Sequence, residues 1–120
     1  MTEYVDIFVV PVPKKNVEAY RKFSKTIGKI CRAHGALEYI VCIADDVQPG
    51  KTTSFPQAVE CEPDETVVVG WLTYKSREHR DLVNAAVMKE PEIEKMMDPK
   101  TMPFDGKRMF MGGFDVLIQV

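Results

Sequence analysis

The sequence predicts an α+β protein of the ferredoxin-like type, in which a βαββαβ chain forms an antiparallel sheet with two helices on one face. Two observations carry this prediction. Four strand-like apolar segments and two segments of helical periodicity follow one another in the required order, and the third strand-like segment is apolar on both faces. The 120 residues are enough for one core and too few for two, so we expect a single domain spanning residues 1–120.

The first strand and first helix are indicated by opposite apolar patterns. Residues 4–12 are rich in β-branched and aromatic side chains and end among prolines, which is typical of a strand. From Lys14 to His34, apolar residues recur every three or four positions, which predicts a helix with one apolar face. Gly28 inside this helix costs about 1 kcal/mol relative to alanine, which indicates a close approach to the sheet. Gly35 supplies the stop.

The middle of the chain contains two predicted strands and a long connection. Leu37 to Ala44 is apolar throughout, which predicts a strand covered on both faces. Residues 45–63 are long for an unstructured connection in so small a domain, so we expect Phe55 to Glu62 to form a short edge strand or hairpin arm. Thr66 to Tyr74 is the strongest strand signal in the chain.

The C-terminal part predicts a second helix and a last strand. Ser76 is a suitable N-cap, and the apolar spacing that follows it ends near Glu90. Pro91 to Asp98 can add a short helical turn. Lys107 to Val120 predicts the final strand, interrupted midway by a pair of glycines.

The third strand predicts how the protein assembles. Val69, Trp71 and Thr73 share one of its faces, and Leu72 and Tyr74 lie on the other. Helices on one side of the sheet would leave the second apolar face in water, and a patch of several hundred Å² is rare on a monomer. We therefore expect two sheets to pair face to face in a homodimer shaped like a barrel.

Composition and charge exclude several partners. Sixteen Lys and Arg residues against eighteen Asp and Glu give a net charge of −2, so we expect no nucleic-acid partner, although a local basic patch is allowed. No apolar run approaches the roughly 20 residues of a membrane span, and the N-terminus carries acids where a signal peptide carries bases. We expect no membrane partner and a cytoplasmic location. Three widely spaced cysteines fit reduced thiols.

Several motifs resemble one protein family. The run Met102-Pro103-Phe104-Asp105-Gly106-Lys107-Arg108-Met109 is followed by Gly112-Gly113-Phe114, and further matches are Tyr4-Val5-Asp6, Gly50-Lys51, Trp71 with Tyr74, and Arg80-Asp81. Together they resemble the bacterial YbaA-like family of uncharacterised proteins over nearly the whole chain. The resemblance implies membership of the dimeric α+β barrel superfamily, in agreement with the predicted homodimer, and implies no particular activity.

The segment from Asp105 to Arg108 is the first candidate site. In a functional interpretation, Asp105 orients Lys107 and Arg108 toward an anionic ligand. In a structural interpretation, Asp105 bonds its own backbone in a tight Asp-Gly turn and the cations are solvated.

Asp6 is a second candidate, because it is an acid within an apolar strand. Burial without a partner would be costly, so we expect it either to pair with Arg80 or Arg108 or to face a wet cavity. In a catalytic arrangement, Asp6 or Tyr74 would abstract a proton and Arg108 would hold the resulting anion.

Aromatic side chains form the third candidate site. Trp71 and Phe8 could line a pocket for a lipophilic molecule, or could belong to the core or the dimer interface. The two histidines, His34 and His79, lie on different predicted helices without ligand spacing, so no metal site is predicted and no cofactor is indicated.

Three functions remain open on these residues. The first is binding of a small organic molecule in the barrel formed by the dimer. The second is a cofactor-independent enzyme of oxygenase or isomerase type. The third is a non-catalytic structural or stress-related protein with a filled barrel.

Overall fold

The computed structural model describes residues 2–120, which form one antiparallel sheet of strand order β2-β3-β1-β4. The strands are β1 (Tyr4–Pro13), β2 (Glu38–Ile43), β3 (Glu65–Tyr74) and β4 (Phe110–Asp115). The helices are α1 (Val17–Ala33), α2 (Phe55–Ala58), α3 (Arg77–Met88) and α4 (Pro91–Met96), with 3-10 turns at Lys14–Asn16 and Gly106–Arg108. The predicted ferredoxin-like α+β architecture is confirmed. No helix within residues 2–120 is long and apolar enough to cross a membrane.

The first helix buries one face against the sheet and is followed by a glycine turn. The buried positions of α1 are Tyr20, Ser24, Gly28 and Cys31, which recur at helical spacing and face the sheet. Beyond its end, the chain turns at Gly35 with a φ of 117°, a conformation that strongly favours glycine.

The predicted start of the second helix is also confirmed. The backbone N–H of His79 donates to Ser76 Oγ at 3.0 Å, so Ser76 is the N-cap of α3.

The core lies between the sheet and the helices. β1 and β3 pair over their whole length, from Tyr4 opposite Tyr74 to Pro13 opposite Glu65. One face of this pair contributes the buried side chains Tyr4, Phe8, Val10, Val12, Val68, Leu72 and Tyr74, which pack with residues of α1, α3 and α4. The short helix α4, in the segment predicted to add a helical turn, contributes Ile93, which is almost fully buried.

The opposite face of the sheet, called here the open face, carries Val5, Ile7 and Val9 of β1, Ile40 and Cys42 of β2, Val67, Val69, Trp71 and Thr73 of β3, and Phe110 and Phe114 of β4. Val59 packs against Val9 and Val67 and covers one end of it. The remainder is accessible, since Ile7 is 39%, Phe110 48% and Phe114 56% exposed. The two-faced apolar pattern predicted for the third strand is confirmed.

Two predictions about the middle of the chain are wrong. Phe55 to Glu62 forms no strand: α2 starts there because Ser54 Oγ accepts the Gln57 N–H and Pro56 occupies the first turn, where its missing N–H is not needed. The predicted second strand is not covered on both faces either. β2 is an edge strand, and Cys42 and Ile43 are exposed.

The last predicted strand is shorter than expected and continuous. Asp105 caps a 3-10 turn over Gly106–Arg108, so β4 begins only at Phe110. It runs through both glycines instead of breaking there. Gly113 is needed because a Cβ at that position would collide with the Tyr4 side chain of β1. Residues 116–120 lie beyond β4.

Candidate functional site

A groove of about 880 Å³ opens between α1 and the edge strand β2, on the helix-covered side of the sheet. This α1–β2 groove is lined by Val12, Val17, Tyr20, Arg21, Ser24, Lys25, Gly28, Lys29, Arg32, Ala33, Tyr39, Val41, Cys42, Ile43 and Val68. Its volume lies within the range of about 300–1,000 Å³ that is usual for small-molecule pockets. Because β2 has no neighbouring strand on its outer side, the groove is accessible from the sheet edge.

The floor of the groove is apolar around one hydroxyl pair. Val12, Val41 and Val68 come from three neighbouring strands and present aliphatic surface. Ser24 and Tyr39 share a hydrogen bond of 2.8 Å between their hydroxyl oxygens. Burial raises the pKa of Tyr39 to about 12, so this phenol is neutral at physiological pH. The floor is therefore uncharged.

Gly28 allows the Tyr39 ring to lie against α1. A Cβ at position 28 would stand 2.5 Å from Cδ1 of Tyr39, which is closer than real Cβ contacts come. The close approach of this glycine to the sheet, predicted from its position inside a helical pattern, is confirmed. Both residues line the α1–β2 groove.

The rim of the groove on the α1 side is cationic. Arg21, Lys25, Lys29 and Arg32 follow one another at spacings of four, four and three residues, which places them on one side of the helix. No acidic side chain occurs among the described residues that line the groove. Arg21 donates to exposed Glu18 at 3.3 Å, and Arg32 donates to the Leu37 carbonyl. Within residues 2–120, Lys25 and Lys29 form no ion pair.

The site proposed from the sequence around Asp6 is a buried ion pair. Asp6 is 1% exposed and faces the helices, where Arg80 Nη1 donates to its Oδ1 at 2.5 Å. The Arg80 guanidinium also lies 4.9 Å from the centre of the Tyr4 ring. Burial raises the pKa of the Asp6 carboxyl, and Arg80 offsets this in part. Of the two predicted pairings for Asp6, the one with Arg80 is confirmed and the one with Arg108 is wrong.

Tyr74 lies in the same buried region. Its side chain is inaccessible, burial raises its pKa, and its hydroxyl has no hydrogen-bond partner within residues 2–120. Neither Tyr74 nor Asp6 lines the α1–β2 groove.

Arg108 is held at the other end of the sheet. Its guanidinium makes two hydrogen bonds of 2.7 Å to the carboxylate of Glu65, which is nearly buried at the start of β3. Asp105 accepts from Arg108 Nε at 3.0 Å and from the backbone N–H of Lys107 at 3.0 Å, so it both orients the arginine and caps its own turn. Lys107 is exposed. Asp105 thus bonds its own backbone as in the structural interpretation, whereas Arg108 is not solvated but paired with Glu65, which sequence reasoning missed.

This ion pair predicts a pH dependence of stability. The two hydrogen bonds from Arg108 lower the pKa of Glu65 below its ordinary 4.5. A lowered folded-state pKa means that the contribution of Glu65 is complete above about pH 4.5 and is lost as the pH falls through the lower folded value. We expect Glu65→Gln to cost about 1–3 kcal/mol of unfolding free energy at pH 7.

Urea denaturation of the wild type and Glu65→Gln across the acidic pH range measures this difference in unfolding free energy. The two proteins should converge in stability as the pH falls, while the exposed control Lys107→Gln should follow the wild type throughout. A constant difference between the wild type and Glu65→Gln would contradict this role for Glu65.

The aromatic candidates lie on opposite faces of the sheet. Phe8 is buried in the core against Gly70, whereas Trp71 is half-buried on the open face.

The two histidines have separate partners. His34 contacts Glu90 at 2.6 Å, and Nδ1 of His79 accepts the Lys75 N–H. Within the described chain, no group of three or more His, Cys, Asp or Glu side chains is arranged to hold a metal ion.

The candidates from the sequence are thus distributed over the core, the open face and the turn near Arg108. The α1–β2 groove, which the sequence interpretation did not assign, combines an accessible volume with a clustered charge. A sequence signal was present: the cations of α1 repeat at helical spacing next to the apolar face of the helix.

Comparisons with known proteins agree with this architecture. A family model described as "Protein of unknown function (DUF1428)" matches residues 3–106. "Uncharacterized protein YbaA" of Escherichia coli strain K12 is 42% identical over 116 residues, covering 97% of each chain, and the Shigella flexneri protein of that name matches to the same extent.

Two crystal structures of proteins from an uncultured marine organism share the fold. Both are described as dimeric ferredoxin-like proteins, and each is 10% identical to this chain and covers all of it. The TM-scores are 0.65 and 0.58, and the matches span 100% and 92% of those chains. At this identity the likeness shows the fold alone.

Proposed function

This chain belongs to the DUF1428 family of proteins of unknown function, and we propose that it binds a small organic molecule in the α1–β2 groove. The predicted YbaA-like resemblance is confirmed. Because the family has no described function, the proposal is based on the geometry of this chain. The observation that carries this proposal is the groove itself, with its volume of about 880 Å³, its apolar floor and its cationic rim. Pockets of this composition are typical of small-molecule sites.

The groove supports binding without catalysis. Its floor offers a neutral hydroxyl pair, and its charged groups are exposed cations, of which Arg21 is paired with Glu18 outside the groove. The residues of the catalytic alternative lie outside the groove. Asp6 and Tyr74 lie within the core, and Arg108 is bound to Glu65 at the other end of the sheet. The enzymatic function, the filled-barrel structural role and the cytoplasmic location stay predictions from the sequence.

A homodimer is the second part of the proposal. The open face exposes Ile7, Phe110 and Phe114 on two neighbouring strands, and a second copy presents the same apolar surface for face-to-face packing. The dimeric description of the two fold relatives supports this assembly. A ligand enclosed between the paired sheets would need both copies, whereas the α1–β2 groove lies on the opposite side of the sheet and is complete in one chain.

The dimer predicts a specific response to substitution. We expect the wild type to sediment as a dimer and Ile7→Lys to sediment as a monomer, because a lysine would bury its charge in the interface. Leu82→Lys is the matched control, since Leu82 is 67% exposed on α3 and away from the open face. Analytical ultracentrifugation distinguishes the two outcomes, and a monomeric wild type would contradict this part of the proposal.

The groove itself is tested with a fluorescent probe, 8-anilinonaphthalene-1-sulfonate. Ala33 is exposed on α1 and lines the groove, so Ala33→Trp fills the site without entering the core. We expect this variant to lose at least tenfold in probe affinity. Ala19→Trp, which is exposed on the same helix outside the groove, should retain wild-type affinity.

Equal probe binding by the wild type and Ala33→Trp would show that the probe binds elsewhere and would overturn the proposed function.

A further inference from the structure

We infer that the ligand of the α1–β2 groove is an amphipathic carboxylate, whose alkyl chain lies on the apolar floor and whose head group lies at Lys25 and Lys29. This inference rests on the proposed function and names the chemical class that the groove selects.

The charge of α1 selects an anion. The helix carries five cations, Arg21, Lys22, Lys25, Lys29 and Arg32, against the single acid Glu18, in a chain whose net charge is −2. Four of the five line the groove. Because Arg21 and Arg32 already have partners, Lys25 and Lys29 are the cations available to a bound head group.

The floor selects an apolar body. Val12, Val41 and Val68 offer no hydrogen-bonding side chain, and the hydroxyls of Ser24 and Tyr39 are bonded to each other. Apart from the Tyr20 hydroxyl, a sugar, nucleotide or other polar molecule would find few partners there to replace its hydration. An alkyl chain gains free energy from each methylene that it buries.

The length of the groove fits an alkyl chain that lies along α1. From Arg21 to Arg32, the cationic stripe of α1 spans about 16 Å along the helix axis. The edge position of β2 leaves this length accessible from one side, so the head group can remain hydrated while the chain is buried. An extended phosphodiester backbone would match the cations of α1 and leave the apolar floor unused.

The test compares octanoate, decanoate and 1-octanol by isothermal titration calorimetry with the full-length protein. We expect octanoate to bind about fivefold or more tightly than 1-octanol, because two surface cations contribute to the acid alone. Decanoate should bind about tenfold more tightly than octanoate, since it buries two further methylenes.

Charge variants identify the head-group site. Lys25→Gln/Lys29→Gln should lose the preference for the acid over the alcohol and retain the affinity for 1-octanol. The control Lys22→Gln/Lys95→Gln has the same net charge but alters two exposed lysines outside the groove, and it should behave as the wild type.

The outcomes separate this inference from the proposed function. Equal affinity for octanoate and 1-octanol, both blocked by Ala33→Trp, would overturn the inference and leave a groove that binds neutral molecules. Binding of neither compound, with no effect of Ala33→Trp on the fluorescent probe, would overturn both. Binding of a single-stranded oligonucleotide that decanoate does not displace would assign the cations to a phosphate backbone and would also overturn the inference.

Discussion

Replacing Arg80 with methionine is expected to lower the free energy of unfolding by about 3–5 kcal/mol, the largest effect of any single substitution considered for this protein. Asp6 is 1% exposed, and Arg80 donates to it at 2.5 Å from the first turns of α3. Methionine retains much of the packing volume and removes the charge. The Asp6 carboxylate would then be buried without its ionic partner.

The matched control is Arg77→Met on the same helix. Arg77 is exposed and lies 4.0 Å from exposed Asp81, so breaking that pair should cost about 0–1 kcal/mol. The double variant Asp6→Asn/Arg80→Met removes both charges and should recover part of the loss. Urea denaturation followed by circular dichroism measures all three differences.

The loss in Arg80→Met should also depend on pH. Burial already raises the pKa of Asp6 above its ordinary 3.8, and removal of the guanidinium takes away the main opposing effect. In the folded variant, Asp6 therefore binds a proton more tightly than in the unfolded chain. The loss of unfolding free energy relative to the wild type should shrink as the pH falls toward 3.8. Equal stability of Arg80→Met and the wild type at pH 7 would contradict the buried ion pair.

Gly28→Ala is the second substitution with a large expected effect, and its sign is informative. Inside a helix, alanine is favoured over glycine by about 1 kcal/mol, so the helix alone would gain stability. The new Cβ would stand 2.5 Å from the Tyr39 ring, which must shift together with its bond to Ser24. We expect a net loss of about 1–3 kcal/mol from this overpacking.

A double-mutant cycle assigns the loss to the ring. In a Tyr39→Ala background the clash is absent, and Gly28→Ala should become neutral or stabilising by up to about 1 kcal/mol. Thermal and urea unfolding of the four proteins gives the coupling energy. A gain of stability from Gly28→Ala in the wild-type background would show that α1 does not lie against Tyr39 as described.

The architecture could be predicted from the sequence because its signals are local and periodic. The alternation of Trp71 and Leu72 on β3 revealed two apolar faces, and Ser76 marked the start of α3 through its capping chemistry. β2 was misjudged because its apolar composition resembles that of a central strand. Whether a strand lies at the edge or the centre is decided by pairing, which composition does not specify.

The candidate site was less accessible to sequence reasoning, because its parts meet only after folding. The sequence identified Asp6 as an acid needing a partner and named two arginines, but the choice of Arg80 depends on where α3 packs. Glu65 is 43 positions from Arg108 and was not considered. Ser54 and Pro56 carry a helix-start signal at the beginning of the segment Phe55 to Glu62, which was interpreted as a strand.

The α1–β2 groove was missed for a related reason. Lys25 and Lys29 are ordinary solvent-facing residues of an amphipathic helix until β2 is known to lie beside them as an edge strand. The cationic spacing is visible in the sequence, whereas the cavity next to it is a property of the packed chain.

The central claim, that a small organic molecule binds between α1 and β2, is tested most directly by nuclear magnetic resonance of the ¹⁵N-labelled protein titrated with decanoate. We expect the backbone amide signals of groove residues such as Gly28, Val41 and Val68 to move, while those of Trp71 and Phe114 on the open face stay in place. Movement confined to the open face, or no movement with either decanoate or 8-anilinonaphthalene-1-sulfonate at saturation, would contradict it.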